Sequence, residues 1–316
     1  MEMAIVDISS PDAPAAIDRA CRTIGFFALS GHGIDASRRE RLLAAARQLF
    51  ALPQGAKQRV SLSTGGNAWR GWFPFEGELT SGVPDLKEGF YVGRELPADT
   101  RPLHGPNVWP QEVPALQREV TAWMQSMEAL GQRVLESMAV GLGLDAGWFA
   151  RNLTTDPTVL FRIFRYPPHP PGGDGQDRWG VAEHSDYGIL TLLAHDGTPG
   201  LEVKVGTEWV PAPSDPDLII CNLGDMLDRL TAGRYRSTAH RVRNVANHDR
   251  LSLPFFLDPS WDARIEPLPL DDDWVAPHSS SQRWDRANLQ EFGGAYGDWL
   301  LDKVTKVFPD LAKTVL

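Results

Sequence analysis

The second half of the chain is a succession of short strand-forming segments with no helical segment between them, and this feature most constrains the fold. In GLEVKV, Leu201, Val203 and Val205 alternate with Glu202 and Lys204, as expected for a sheet with one wet face. Near-regular spacing of such segments predicts an antiparallel jelly roll or barrel. The seven segments after residue 157 are TVLFRIFRY, GILTLLAH, GLEVKV, EWVPA, DLIICNL, RSTAHRV and RLSLPFFL.

Helical segments flank this predicted core. Between Glu112 and Met138, apolar residues recur every three or four positions, which predicts one long amphipathic helix. A shorter helix is predicted from Asp35, as its N-cap, to Leu52. We expect a final helix on the outside of the barrel, and its apolar residues are Leu289, Phe292, Tyr296, Trp299, Leu300 and Val304.

Together these patterns predict a mixed α and β protein in four regions. Residues 1–110 form an N-terminal α/β region, and residues 111–156 contain the long supporting helix. Residues 157–262 form a double-stranded β-helix (jelly-roll) core, and residues 263–316 a C-terminal helical extension.

Charge and cysteine content narrow the functional classes. The formal net charge of −10 argues against a nucleic acid partner, since phosphate binding requires clustered Lys and Arg. Cys21 and Cys221 form no CxxC motif, so reduced thiols are expected. The N-terminus does not resemble a signal peptide, and no apolar run is long enough to span a membrane. These features predict a cytoplasmic protein with no membrane partner.

A His-x-Asp pair, His184 and Asp186, directly precedes a strand-forming run. Alone it is equally consistent with a solvated strand edge. Non-haem Fe(II) that binds O2 uses two histidines and one carboxylate, and His240 lies 54 residues beyond Asp186, on a strand that can return to the same end of a barrel. His195 and His248 are alternatives, but both are expected in surface turns.

A second constellation lies in RLSLPFF, where Arg250 and Ser252 share one strand face. An arginine inside a barrel requires an anion, because a buried unpaired guanidinium is costly. A planar guanidinium beside a hydroxyl suits a carboxylate ligand. An internal Arg–Asp pair is the alternative.

A family resemblance rests on motifs in a consistent order. The chain resembles the isopenicillin N synthase-like branch of the Fe(II)/2-oxoglutarate oxygenases, and the resemblance covers nearly its whole length. The motifs in the second half are RYPP, HSDYGILTLL, GLEV, NLGDML, GRYRSTAHRV and RLSLPFF. Those in the first half are GFFALSGHGI, RGWFP and VPDLKEGFYVG.

The resemblance implies roles for these residues. His184, Asp186 and His240 would be the iron ligands, and Ser185 stands where the family commonly has Thr. Members of the family that halogenate lack this carboxylate ligand. Because Asp186 is present, we do not expect halogenation. Residues 1–110 would be the family's N-terminal region.

The same resemblance implies a 2-oxoglutarate site. Arg250 and Ser252 would hold the distal carboxylate of 2-oxoglutarate, with Tyr166 donating its hydroxyl to the same group. Arg165 departs from the pattern, since many members carry a second tyrosine there.

The substrate residues are less well defined by the sequence. Arg70 matches a position that binds a substrate carboxylate in some relatives, and a surface arginine is the alternative. Trp72 and Phe73 are candidates to line the substrate pocket, or are simply core. Lys87 and Glu88 are expected to form a solvated pair.

The expected activity is oxidation of a C–H bond in a small molecule by Fe(II), 2-oxoglutarate and O2, with release of succinate and CO2 and with ascorbate as a possible stimulant. Hydroxylation is the default outcome, and desaturation and cyclisation use the same machinery. The alternatives are a 2-oxoglutarate-independent iron oxidase, an ethylene-forming enzyme and a non-catalytic cupin-like metal-binding barrel. Hydrolytic zinc chemistry is disfavoured because HExxH is absent.

Overall fold

The computed structural model describes residues 2–168, 178–270 and 293–307. The strands of these ranges are β1 (Ala4–Asp7), β2 (Phe26–Ser30), β3 (Gly71–Phe73), β4 (Glu88–Gly93), β5 (Pro157–Tyr166), β6 (Val181–His184), β7 (Leu190–His195), β8 (Leu201–Val205), β9 (Glu208–Pro211), β10 (Ile219–Leu223), β11 (His240–Val242) and β12 (Arg250–Ser260). The α-helices are α1 (Ala13–Thr23), α2 (Ala36–Ala51), α3 (Gln54–Gln58), α4 (Ala115–Gly141), α5 (Trp148–Asn152), α6 (Asp225–Leu230) and α7 (Tyr296–Val307).

The strands form two sheets, and the predicted jelly-roll core is confirmed. The larger sheet has the order β1-β2-β10-β7-β12-β5-β4-β3, and the smaller one has the order β6-β11-β8-β9. Each of the seven predicted segments contains a strand. The short strand β6, which ends at His184, was not among them, because its four residues carry no clear alternation.

The N-terminal region is built into the same large sheet. β2 lies between β1, with which it pairs in parallel, and β10, with which it pairs antiparallel. On the opposite side, β3 and β4 continue the sheet beyond β5. Residues 1–110 therefore supply both edges of the sheet whose centre comes from the second half of the chain.

The long helix α4 forms as predicted and covers the large sheet. Its apolar stripe is buried, and each fully buried side chain of this kind contributes about 1.5–3 kcal/mol. Gly131 lets the helix approach closely, because a Cβ there would lie 2.7 Å from Leu257 of β12. The N-cap prediction for α2 is also confirmed, since Asp35 accepts a hydrogen bond from the Ser37 N–H.

The C-terminal helix α7 differs from its prediction. Leu300, Val304 and Val307 line the cavity between the two sheets instead of only packing outside the barrel. Trp299 fixes the helix by donating its indole N–H to the Tyr187 carbonyl at 2.9 Å. Two residues predicted for this helix, Leu289 and Phe292, and most of the loop at 167–178 lie outside the described residues.

Two further expectations concern thiols and membranes. Cys21 and Cys221 are buried and form no disulfide. Of the helices that the structure describes, none combines the length and the apolar character needed to cross a membrane.

Candidate metal centre

Three side chains from different parts of the chain converge at the wall of the cavity between the two sheets. His184 ends β6, His240 begins β11, and the two residues pair directly in antiparallel register. Asp186 follows β6 by two residues, and its Oδ1 lies 3.9 Å from His184 Nε2 and 3.7 Å from His240 Nε2. One ligand atom of each residue lies within 4.8 Å of the others, a spacing at which the three could hold one metal ion.

The backbone fixes the orientation of both imidazoles. His184 Nδ1 lies 2.8 Å from the Ala182 carbonyl, and His240 Nδ1 lies 3.1 Å from the Thr238 carbonyl. Because a carbonyl oxygen only accepts, each Nδ1 must carry the proton and donate it. The Nε2 lone pairs then face one another, which is the tautomer that a metal ligand requires.

The Asp186 carboxylate is held by two donors on the side away from the histidines. Its Oδ2 accepts hydrogen bonds from Thr191 Oγ1 at 2.5 Å and from Asn222 Nδ2 at 2.6 Å, which leaves Oδ1 facing the imidazoles. Burial alone would raise the pKa of Asp186, but the two histidines and these hydrogen bonds lower it overall. The carboxylate is therefore charged at neutral pH.

Burial also sets the charge of the histidines. It lowers the pKa of His184, and burial together with the neighbouring His184 lowers the pKa of His240 to about 4. Two neutral imidazoles beside one carboxylate leave a net negative charge in a buried place. This donor set of two nitrogens and one oxygen suits Fe(II).

The two alternative histidines do not join this cluster. His195 is buried, with 3% of its surface exposed, and lies opposite Ser252 in the large sheet, so the prediction of a surface turn is wrong for it. Its Nδ1 accepts a hydrogen bond from the Gly197 N–H. His248 is exposed in a turn, as predicted.

Arg250, Ser252 and Tyr166 meet on neighbouring strands of the same cavity. Arg250 pairs with Tyr166 in register, and its guanidinium carbon lies 5.1 Å from the centre of the tyrosine ring. Ser252 Oγ lies 3.4 Å from the Tyr166 hydroxyl. All three side chains line the cavity that contains the histidine–aspartate cluster.

The charge of Arg250 has no internal partner. Its Nε donates to the Thr198 carbonyl at 3.2 Å, but the buried Nη1 has no hydrogen-bond partner. Within the described ranges no carboxylate forms an ion pair with it, which argues against the internal Arg–Asp pair. An orphaned buried guanidinium nitrogen indicates an anionic ligand, so the residues present fit a dicarboxylic acid such as 2-oxoglutarate.

Lys87 is buried, so the prediction of a solvated pair with Glu88 is wrong. Only 2% of its surface is exposed, and it lines the cavity. Its Nζ bonds Glu78 at 2.7 Å and Asp85 at 2.5 Å. Glu88 points elsewhere and pairs with Arg165. Lys87 is neutralised by Asp85, two residues away, and by Glu78, whereas Glu88 pairs with Arg165, which is distant in the sequence.

The structure does not bring the three predicted substrate residues to the cavity. Arg70 is buried and donates to the Leu103 carbonyl at 2.9 Å, and burial lowers its pKa to about 9. Trp72 donates its indole N–H to Glu88 at 2.8 Å. Phe73 packs edge-on against Tyr91. Tyr91 lines the cavity and Phe73 does not, so Phe73 lies behind the cavity wall.

Arg162 is among the cavity residues that the sequence did not predict. Arg162, on β5, lines the cavity with its guanidinium carbon 3.5 Å from the centre of the Tyr91 ring. A signal was available, because Arg162 and Arg165 are three residues apart and so lie on opposite faces of a strand. Arg165 pairs with Glu88 and Asp249, so the other arginine must face inward.

Two family models match the chain. The model described as non-haem dioxygenase in morphine synthesis N-terminal matches residues 4–112. The model of the 2OG-Fe(II) oxygenase superfamily matches residues 157–259. The second match includes all three members of the histidine–aspartate cluster.

Individual proteins resemble the chain along most of its length. A protein named probable iron/ascorbate oxidoreductase from Dictyostelium discoideum is 39% identical over 332 residues, which are 95% of this chain and 90% of that protein. A 2-oxoglutarate-dependent dioxygenase from Aspergillus niger is 38% identical over 78% of each chain. The structure of a Neurospora crassa protein in complex with alpha-KG matches with a TM-score of 0.79 over 96% of each chain, and at 24% identity this likeness concerns the fold.

Proposed function

Because this chain belongs to the 2OG-Fe(II) oxygenase superfamily, we propose that His184, Asp186 and His240 hold its Fe(II) and that Arg250 anchors its 2-oxoglutarate. The protein is a 2-oxoglutarate-dependent dioxygenase acting on a small-molecule substrate. One observation carries the assignment of residues: three metal-ligand atoms within 4.8 Å open into the same cavity as an unpartnered, buried arginine nitrogen.

The three ligands are prepared for a cation. Both imidazoles present unprotonated Nε2 atoms, and Asp186 Oδ1 is turned toward them by its two donors. When bound, Fe(II) and 2-oxoglutarate together activate O2 for oxidation of a substrate C–H bond, with release of succinate and CO2. Because these ligands are already oriented, little reorganisation accompanies metal binding.

Another part of the same cavity suits the distal carboxylate of 2-oxoglutarate. Arg250 supplies a charged donor, and Ser252 and Tyr166 supply hydroxyl donors at hydrogen-bonding distance from one another. Charge-assisted hydrogen bonds of this kind contribute about 1.5–3 kcal/mol each. Burial raises the pKa of Tyr166, although Lys87 and Arg250 oppose the rise, so the hydroxyl keeps its proton and can donate.

Part of the remaining cavity wall is apolar, which limits the access of water to the reacting centre. Leu160, Leu193 and Phe256 line it from the large sheet, and Leu300 and Val304 line it from α7. A dry, apolar chamber protects a strong oxidant from side reactions. Hydroxylation is the default outcome, and desaturation or cyclisation would use the same site.

The test is coupled turnover. We expect purified protein with Fe(II), ascorbate, O2 and 2-oxoglutarate to release succinate, and a true substrate to raise that release in a one-to-one ratio with oxidised product. Oxidised product without succinate would favour a 2-oxoglutarate-independent oxidase, and ethylene in the headspace without added substrate would favour an ethylene-forming enzyme. A cupin-like binding protein would release no succinate under any condition.

Matched variants separate the metal site from the remainder of the fold. His240→Ala removes a ligand, and His248→Ala removes an exposed histidine outside the cavity. We expect the first variant to lose bound iron and succinate release, and the second to retain both. Full activity of His240→Ala would show that the metal assignment is wrong.

A further inference from the structure

Arg162 is a cavity-lining cation with aromatic neighbours. It lies on β5 opposite Tyr91 of β4, and its guanidinium stacks on the Tyr91 ring with the central carbon 3.5 Å from the ring centre. Its second aromatic neighbour is Phe256, at 5.9 Å. Stacking on an aromatic face leaves the edge of the guanidinium, which carries the N–H donors, available to a ligand.

Within the residues that the structure describes, no carboxylate lies within ion-pair distance of Arg162. Its direct contacts are with neutral groups: Nη1 donates to the Phe161 carbonyl at 3.3 Å, and the guanidinium stacks on the Tyr91 ring. Glu78 acts on it only at longer range, since that carboxylate is bonded to a lysine and to the Tyr91 hydroxyl. The Asp258 carboxylate likewise accepts a backbone N–H.

The other cations of this region are neutralised. Lys87 bonds two carboxylates, Glu78 and Asp85, at 2.7 and 2.5 Å. Arg165, on the outer face of β5, pairs with both Glu88 and Asp249. Among the described residues no carboxylate pairs directly with the half-buried guanidinium of Arg162, so its N–H donors at the cavity wall are placed to bind an anionic ligand.

The position of Arg162 separates it from the 2-oxoglutarate residues. Arg162 and Tyr166 lie on the same face of β5, four residues apart, which corresponds to roughly 13 Å along the strand. That separation leaves room for two different ligands in one cavity. Apolar residues of the same cavity wall include Leu160, Phe256 and Leu300.

We propose that Arg162 binds an anionic oxygen of the prime substrate, and that this substrate is a small, mostly apolar acid whose anion is a carboxylate or an ionised phenol. This inference rests on the proposed function. The nearby carboxylates of Glu78 and Asp258 disfavour a dianion such as a phosphate ester, for which one guanidinium is too little positive charge. The body of the acid packs against Phe256 and α7.

The test is equilibrium dialysis of matched probes against the anaerobic enzyme loaded with Fe(II) and 2-oxoglutarate, at about pH 8, where both acids are ionised. The carboxylate pair is 4-methylbenzoate and its methyl ester, and the phenol pair is 4-nitrophenol and 4-nitroanisole. We expect one acid to bind about 10–100 times more tightly than its neutral partner, as a charge-assisted hydrogen bond predicts. The pair that shows the preference identifies the source of the anion.

Arg162→Met is expected to abolish this preference, and Arg162→Lys, which keeps the charge but loses the planar stack, to reduce it. Arg151→Met, which removes an exposed arginine from α5, is the matched control and should keep it. Thermal stabilisation by 2-oxoglutarate shows that each variant is folded. If Arg162→Met does not fold, the comparison is made with Arg162→Lys alone.

Two results would overturn the inference: an unchanged preference in folded Arg162 variants, or no preference for either acid in the wild-type chain. The proposed function is tested separately, by succinate release from 2-oxoglutarate in the wild-type protein. Absence of that release would count against the enzyme assignment, whereas the dialysis result bears only on Arg162.

Discussion

The side-chain amide of Asn222 donates a 2.6 Å hydrogen bond to Asp186 Oδ2. Asn222 lies on β10 of the large sheet, whereas Asp186 follows β6 of the small one, so this bond joins the two sheets at the candidate metal centre. It turns the carboxylate so that Oδ1 faces both histidines. Loss of a residue that hydrogen-bonds to a metal ligand typically lowers metal affinity by about 10–100-fold.

We expect Asn222→Ala to weaken Fe(II) binding by about 10–100-fold with the three ligands intact. The loss arises because the carboxylate is free to rotate and loses a charge-assisted bond. Metal affinity is measured by titration with Fe(II) under anaerobic conditions. Asn222→Asp should weaken Fe(II) binding further, because a second carboxylate at this place repels Asp186. An Fe(II) affinity equal to that of the wild type in both variants would contradict the orienting role of Asn222.

Arg250→Met is expected to raise the KM for 2-oxoglutarate by about 10–100-fold, with a smaller change in iron content, because a charge-assisted hydrogen bond is worth about 1.5–3 kcal/mol. Arg243→Met is the matched control and should leave this KM unchanged. Arg243 stacks on Trp179 at 4.1 Å and is not among the residues that line the cavity. The measurement is succinate formation against 2-oxoglutarate concentration. Equal KM values for Arg250→Met and wild type would show that the anchor lies elsewhere.

Asp258 makes the metal-free protein less stable as pH rises. Burial raises its pKa from 3.8 to about 7, although the Tyr296 hydroxyl and the Ile189 N–H oppose the rise. Between these two values the unfolded chain has lost the proton while the folded chain retains it, so the free energy of unfolding falls with increasing pH, by at most about 4 kcal/mol, and then levels off.

Asp258→Asn, which cannot ionise, is expected to lack this dependence. Urea unfolding of both chains with a chelator present, at about pH 5 and about pH 8, measures it. The stability advantage of the Asn variant should grow at the higher pH. Parallel pH profiles for the two proteins would mean that the carboxyl ionises normally in the fold.

Trp299 docks α7 onto the cavity through its bond to the Tyr187 carbonyl. Trp299→Phe removes that bond and is expected to cost about 1 kcal/mol, whereas Trp299→Ala also removes a buried ring and is expected to cost about 3–5 kcal/mol. Because Leu300 and Val304 of α7 line the cavity, the Ala variant should also admit water and consume 2-oxoglutarate without product. Limited proteolysis measures the loosening of α7, and the ratio of succinate to oxidised product measures the uncoupled consumption of 2-oxoglutarate. An unchanged ratio in Trp299→Ala would exclude α7 as a cavity wall.

Local patterns predicted much of this molecule from sequence. The apolar stripe of α4, the Asp35 cap of α2 and the alternation in β8 are each decided by neighbouring residues, so a single sequence contains them. The convergence of His184, Asp186 and His240 required the additional expectation that a returning strand closes a jelly roll.

Burial that depends on tertiary contacts was not predictable in this way. The sequence around Lys87 predicts a surface position, yet Lys87 is buried because Glu78 and Asp85 neutralise its charge. His195 was predicted in a turn, yet it is buried and pairs with Ser252 of β12. The placement of the two arginines likewise depends on the fold: Arg70 donates to a backbone carbonyl from a distant loop, whereas Arg162 faces the cavity.

The place of β2 in the large sheet also bears on how the chain folds as it is made. One edge of β2 pairs with β1 at once, but its other partner, β10, begins roughly 190 residues later. At about 5–20 residues per second, a ribosome needs roughly 10–40 s to deliver it. During that interval the apolar edge at Phe26–Ser30 is an unpaired template for other nascent chains, so expression at lower temperature or with a holding chaperone should favour folding over aggregation.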